Sequence, residues 1–172
     1  MRDNELYIAI IAELNTLLDS QDLGDVKVSQ GYPKTQQSAS INRSIFIHKV
    51  TNPQVGTGYI YKGNKRTQQN LRRSTFQFNA LVEQDITDIT SLTATDILTT
   101  AADMIQSYDG LRNLRKNGVN IERVTDVREV NFVNEKGENE SSPSFDLTVN
   151  YEHIYETNTP IISGINCNLE SI

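Results

Sequence analysis

Apolar residues recur at helical steps in two stretches of the chain. From Asn4 to Leu18, Leu6, Tyr7, Ile10, Ile11, Leu14, Leu17 and Leu18 fall on one stripe of a 3.6-residue period. This predicts an amphipathic helix, with Asp3 as its N-cap and Glu5 placed against the N-terminal dipole. The segment from Asp19-Ser20 to Gly24 ends it. A second stripe, Ile97, Leu98, Ala101, Ala102, Ile105, Tyr108 and Leu111, predicts a helix from Thr95 to Lys116. Thr93 or Thr95 can cap its start, Asp96 suits its first turn, and Arg112, Arg115 and Lys116 suit its last turns. Asn117-Gly118 is a C-terminal stop, and Asp109-Gly110 is placed to split off the last part as a short separate piece.

Elsewhere the period falls to two. Within Leu71–Glu83, Phe76, Phe78, Ala80 and Val82 share one face, with Thr75, Gln77 and Asn79 on the other. Phe145, Leu147, Val149, Tyr151, His153 and Tyr155 alternate with more polar neighbours in the same way. Ile41–Val50 and Ile121–Val133 also read as strands. The second needs a bulge, because Val124, Val127, Val130 and Phe132 do not keep one parity. Val26–Val28 reads as a short edge strand, and the polar run 134–140 as the connection of a hairpin joining the last two strands.

Two stretches keep neither period. Residues 51–70 hold Pro53, Gly56, Gly58 and Gly63 with little alternation beyond Tyr59-Ile60-Tyr61, and read as a long loop. Residues 157–172, with Pro160, Gly164 and scattered Ile, read as an extended C-terminal arm that needs a partner surface. The expected architecture is α+β: an antiparallel or mixed sheet of about four to five strands, with two helices packed on one face. Residues 1–156 form one domain in this reading.

The length of 172 residues is ample for one core, and a hydrophobic fraction of 37% excludes full disorder. No apolar run approaches the roughly 20 residues of a membrane-spanning helix. Met1 to Glu5 lacks the basic region of a signal peptide. A lone Cys167 can form neither an internal disulfide nor a cysteine-based zinc site, which suits a reducing cytoplasm.

Charge changes the picture more. The net charge of −6 conceals a block from Val26 to Val82 with no acid and nine bases: Lys27, Lys34, Arg43, Lys49, Lys62, Lys65, Arg66, Arg72 and Arg73. All 22 acids lie outside it. If the blocks mix in three dimensions, no patch results. If they stay apart, the protomer is polarised. Its basic face could then meet acids of an identical neighbour, a head-to-tail contact of the kind that closes rings. It could instead meet a phosphate backbone, which the acidic overall balance disfavours.

Chemistry-bearing constellations are scarce. His48 and His153 are too few for a metal site, and Cys167 has no His near it in sequence. Gly56-Thr57-Gly58 neither follows a clear strand nor opens a helix, so it is no phosphate loop. Asp85, Asp88, Asp96, Asp103 and Asp109 lack calcium-loop spacing and read as solvated faces. Tyr59, Tyr61, Lys62, Lys65 and Arg66 could stack on bases and hold phosphates, or form an interface loop. No cofactor and no catalytic residue set is expected.

One resemblance rests on Arg73–Glu83 (RSTFQFNALVE) leading into the helix Thr95–Lys116. The hairpin strand Phe145–Tyr151 (FDLTVNY) and a Thr-x-Thr-Pro-Ile arm at Thr157–Ile161 extend it. In this order of elements the chain resembles tailed-phage tail-terminator and neck (gateway) proteins. The resemblance implies a virion protein, made in the host cytoplasm, that forms a sixfold ring terminating the tail tube. Such a ring joins the tail to the head–tail connector, touches tube proteins and, in a contractile tail, the sheath, and lets genomic DNA pass without sequence-specific binding. Combined with the charge pattern, it puts Lys62, Lys65, Arg66, Arg72 and Arg73 at a subunit interface. They would face acids of the adjacent protomer, from Asp96 and Asp103 on the helix or Glu135, Glu138 and Glu140 on the hairpin. Ile161, Ile162, Ile165 and Leu169 of the arm would lie on a neighbour, and clustered Lys and Arg would be kept off the channel wall. The competing reading is a non-catalytic nucleic-acid-binding module built on residues 26–82.

Overall fold

The computed structural model describes residues 1–31, 43–62, 64–82, 90–129, 131–133, 139–141 and 143–158; side chains of 131–141 are not described. The fold is α+β, with three helices and a mixed six-stranded sheet among the described residues.

Helix α1 spans Asp3–Asp19 and buries Leu6, Tyr7, Ile10, Leu14, Leu17 and Leu18, the stripe the sequence predicts. Its start differs by one residue. Arg2 is the N-cap, and its backbone N–H donates to Glu5 Oε2 at 2.8 Å. Asp3 is thereby released from capping and turns to the sheet.

The second apolar stripe divides between α2 (Ala94–Gln106) and α3 (Tyr108–Lys116). Thr93 caps α2: its Oγ1 accepts from Asp96 N–H at 3.1 Å, while its own N–H donates to Asp96 Oδ2 at 2.9 Å. Ser107 is extended (ψ 162°) and caps α3, accepting from Gly110 N–H at 3.2 Å. Gly110 makes this break possible, because a Cβ there would lie 2.7 Å from Met104 O and 2.8 Å from Ile105 O. Both are backbone atoms with little freedom to retreat. Gly110→Ala should therefore cost about 1–3 kcal/mol by overpacking, read as a lowered thermal midpoint. Gly118 at φ +75° ends α3 in the left-handed conformation that glycine adopts most readily.

The strands are β1 (Lys27–Gln30), β2 (Ser44–Thr51), β3 (Gln54–Lys62), β4 (Lys65–Leu81), β5 (Val119–Val124) and β8 (Ser144–Asn158), in order β1-β2-β4-β8-β5. β1 pairs parallel to β2 and every other ladder of this sheet is antiparallel. β6 (Asn131–Val133) and β7 (Asn139–Ser141) form a separate two-stranded sheet. The expected strand 121–133 is thus split. The bulge it required lies in the β5–β8 ladder, between Ile121 and Arg123.

All three helices lie against the one apolar face of this sheet. That face presents Ile45, Ile47, Phe76, Phe78, Ala80, Phe145, Leu147 and Val149, all fully buried. Phe78 and Phe145 stack with centroids 4.6 Å apart, and Tyr7 meets Phe76 edge-on at 5.2 Å.

The expectation that fails is the loop at 51–70. Its residues form β3 and the first part of β4, an antiparallel pair whose ladder runs from Gln54↔Arg72 to Lys62↔Lys65. Sequence periodicity misses it because no residue of β3 is buried, so neither face must be apolar and no alternation results. β2 and β3 lie end to end along the same edge of β4, separated only by Asn52 and Pro53. β8 continues the ladder to Asn158, opposite Lys65. The first two residues of the expected arm are therefore strand, and 159–172, with the predicted arm contacts, lie outside the described residues.

Candidate assembly surface

Beyond the helix-covered core, β3, β4 and β8 continue as a three-stranded extension. The ladder registers fix its faces. Tyr59 and Tyr61 of β3 sit beside Arg66, Gln68, Asn70 and Arg72 of β4 on the face that leads to the core. His153 and Tyr155 of β8 complete that face. The opposite face carries Ile60, Lys65, Leu71, Arg73, Ile154 and Glu156. Tyr59, Ile60, Tyr61, Leu71, Ile154 and Tyr155 are all exposed.

The root of this extension is pinned. Asn52 Oδ1 accepts from Ser74 Oγ at 2.8 Å and from Tyr151 Oη at 3.2 Å. Asn52 O accepts from Arg72 Nη1 at 3.3 Å, and Pro53 O from Arg73 N–H at 3.0 Å. Beside it, Lys49 Nζ lies 2.8 Å from Asp3 Oδ1 and over the rings of Tyr7 and Phe76 at 5.8 and 5.6 Å. Tyr151 Oη also donates to Asp3 at 3.2 Å, and the Met1 ammonium donates to Glu152 O at 2.8 Å.

Lys49's hydrogen bond is the largest influence on the Asp3 carboxyl and holds it below the ordinary 3.8; partial burial opposes this, and the Lys49 charge and Tyr151 reinforce it. A carboxylate depressed in the folded state contributes stability above its unfolded value, and that contribution is lost as pH falls through the folded one. The window therefore lies below about pH 4. Lys49→Met should lower stability at neutral pH by about 1 kcal/mol, since the Asp3 carboxylate is largely solvated. It should also flatten the acid limb of a plot of melting temperature against pH. An unchanged acid limb would show that this pair carries none of it.

The structure mixes part of the basic block with acids of its own chain. Lys65 pairs with Glu156 at 3.5 Å, Arg73 with Glu122 at 2.7 Å, and Arg43 with Asp25 at 3.3 Å. Arg66 lies 5.6 Å from the Tyr59 ring and donates to Thr157 Oγ1 at 3.3 Å. Among the described residues, no carboxylate lies within ion-pair distance of Lys62, Arg66 or Arg72. Of the acids named from sequence, Asp96 is engaged with Thr93 at the start of α2, and Asp103 is exposed further along that helix. Glu140 lies in β7, its side chain undescribed, and Glu135 and Glu138 fall outside the described residues.

Sequence reasoning missed Glu122 and Glu156 as partners of the block. They lie 49 and 91 positions from Arg73 and Lys65, and only the β4–β8–β5 register brings them together. His153, weighed as a ligand, instead meets Met1 O at 2.9 Å through Nδ1. No cluster of three potential metal ligands occurs among the described residues, and no helix among them is long and apolar enough to cross a membrane.

Residues 5–161 match the family model described as E217 gateway protein gp29. No curated protein matches the chain.

Proposed function

We propose that this chain, which belongs to the E217 gateway protein gp29 family and so to the structural proteins of the phage neck, assembles as a closed ring of about six copies at the head–tail junction. The ring terminates the tail tube, seats on the head–tail connector and encloses the channel through which the genome passes. The work is mechanical and non-catalytic. It is performed in the virion after assembly in the host cytoplasm, alongside the tail-tube proteins and, where the tail is contractile, its sheath.

The observation that carries this reading is the polarised extension. Lys62 and Arg66 have no carboxylate within ion-pair distance among the described residues, beside exposed Tyr59, Ile60 and Tyr61, while Arg72 donates to Asn52 O and its charge reaches the Asp3 carboxyl. Basic and apolar groups projecting together from a pinned base suit an interface better than a solvated surface. Acids of the adjacent protomer, at Asp96, Asp103, Glu135, Glu138 and Glu140, supply the complementary charge. Lys65 and Arg73 join that interface while keeping their internal pairs.

Each exposed pair is worth only about 0–1 kcal/mol, so the contribution is collective. Lys62→Glu, Arg66→Glu and Arg72→Glu combined should shift the full-length protein from ring to monomer in native mass measurements, and remove the salt dependence of assembly. Unchanged assembly at low and high salt would overturn the charge-led interface.

Arg66 against Tyr59, with Tyr61 exposed beside it, also favours a second reading as a base-stacking platform. Titration with single- and double-stranded DNA separates the two. A stacking module binds with a steep inverse dependence on salt, whereas the ring reading expects assembly without measurable DNA affinity.

A further inference from the structure

Two strand edges of the extension have no partner among the described residues. β3 pairs only with β4, leaving the other edge of Gln54–Lys62 open. On the far side, β5 covers β8 only as far as Tyr151, opposite Val119. Met1 takes the carbonyl of Glu152 and faces the His153 ring, so the open edge of β8 begins at Ile154. The two edges flank β4 on opposite sides of one blade.

The usual guards are few and stand near the strand ends, Lys62 on β3 and Glu156 on β8. From Val55 to Tyr61, β3 has no charge and no proline, and β8 presents Ile154 and Tyr155, both exposed. A long exposed edge with so few guards is a template for another strand. Pairing β3 with β3 across a two-fold axis would leave both β8 edges open. Pairing β3 of one copy with β8 of the next uses both edges at every joint, and in a closed ring leaves none.

We infer that the ring closes by strand pairing: the free edge of β3 joins the free distal edge of β8 in the adjacent copy, so that the three-stranded extensions form one continuous barrel. This rests on the ring reading above. Direction follows from the ladders. β3 and β8 both run antiparallel to β4, towards Lys62 and Asn158, so they are parallel to each other. Copies related by rotation about a ring axis all point the same way, so the joint is a parallel one.

The side chains agree with that joint. Lys62 ends β3 on the same face as Ile60, and Glu156 lies near the end of β8 on the same face as Ile154. A seam offset by two residues from the level set by β4 sets Lys62 beside Glu156 and Ile60 beside Ile154, a cation against an anion and an isoleucine against an isoleucine. With three strands from each of six copies, about 18 strands close into a barrel of the size that leaves an aqueous lumen rather than a side-chain-filled core. Since Arg66 and Arg72 lie on one face of the blade and Lys62, Lys65 and Arg73 on the other, this joint gives up the expectation that the basic block avoids the channel wall.

Cysteine pairs in the full-length Cys167→Ser background test this. Single-cysteine chains carrying Gly58→Cys or Ile60→Cys on β3 are mixed with chains carrying Ile154→Cys or Glu156→Cys on β8, and oxidised after assembly. The expected result is a disulfide-linked dimer in mixtures only. Chains bearing one cysteine on each edge should give a ladder of bands ending at the closed ring. Tyr59→Cys, on the opposite face of β3, should not cross-link to Ile154→Cys, since strand parity separates them. Native mass measurement of each variant is the companion readout. An oligomer that gives no cross-links, β3–β3 dimers from one variant alone, or cross-links indifferent to face would each overturn the strand joint while leaving a ring in place. A chain that remains monomeric under all conditions would overturn the ring reading and the joint together.

Discussion

Ile105→Asp should leave no folded domain at room temperature, and Leu14→Asp should do the same. Both side chains are fully buried where α2 and α1 meet the shared core. A carboxylate placed there has no cation beside it, and an unpaired buried polar or charged group costs several kcal/mol. Domains of this size are stable by roughly 5–15 kcal/mol, so that loss combined with the lost packing consumes most of the margin. Far-UV circular dichroism and thermal melting read the outcome directly. A cooperative melt close to wild type in both variants would mean that the helices do not close the core as described.

A chain ending at Asn158 should fold like wild type and fail to join heads to tails. β8 pairs with β4 through Asn158, so this cut leaves every described ladder intact. The residues removed include Ile161, Ile162, Ile165, Leu169 and Ile172, side chains costly to leave in water. At about 25 cal/mol per Å², burying two or three of them against a neighbour contributes a few kcal/mol, enough to offset ordering part of the segment. The strand they follow ends at the tip of the extension beside Lys65, remote from the helix-covered core. A segment departing there reaches a neighbouring subunit more readily than its own core. An unchanged melting temperature with loss of infectious particles is the expected pair of results. Infectious particles assembled from the shortened chain would refute the proposed arm contact.

Where one face of an element must be dry, its periodicity shows in the sequence. The stripe through Leu6, Ile10 and Leu14, and the alternation of Phe76, Phe78 and Ala80, each gave an element of the right type in the right place. β3 gave no such signal because both of its faces are wet, although Val55, Thr57, Tyr59, Ile60 and Tyr61 carry ample strand propensity. The division of α2 from α3 was foreshadowed by Asp109-Gly110, but Ser107 is the residue that makes it. The candidate site was legible as charge and illegible as pairing. The acid-free block is plain in the sequence, whereas Arg73 with Glu122 and Lys65 with Glu156 depend on which strands lie side by side. Register is a tertiary property that neither composition nor local pattern encodes.

The pinned junction at Asn52-Pro53 bears on the curvature of the proposed ring. A ring of identical parts closes only if each part turns the path by the same share of a circle, about 60° for six copies. An error of a few degrees per copy accumulates into a gap or a helical filament. In this fold the course of β3 relative to β2 is set at one place, where the β2–β4 register shifts between Lys49 and Thr51 and the β3–β4 register between Gln54 and Gly56. Asn52 holds that place through Ser74, Tyr151 and Arg72. In the proposed ring, the bevel of the wedge would then reside in a handful of hydrogen bonds inside the protomer rather than in the contact between subunits.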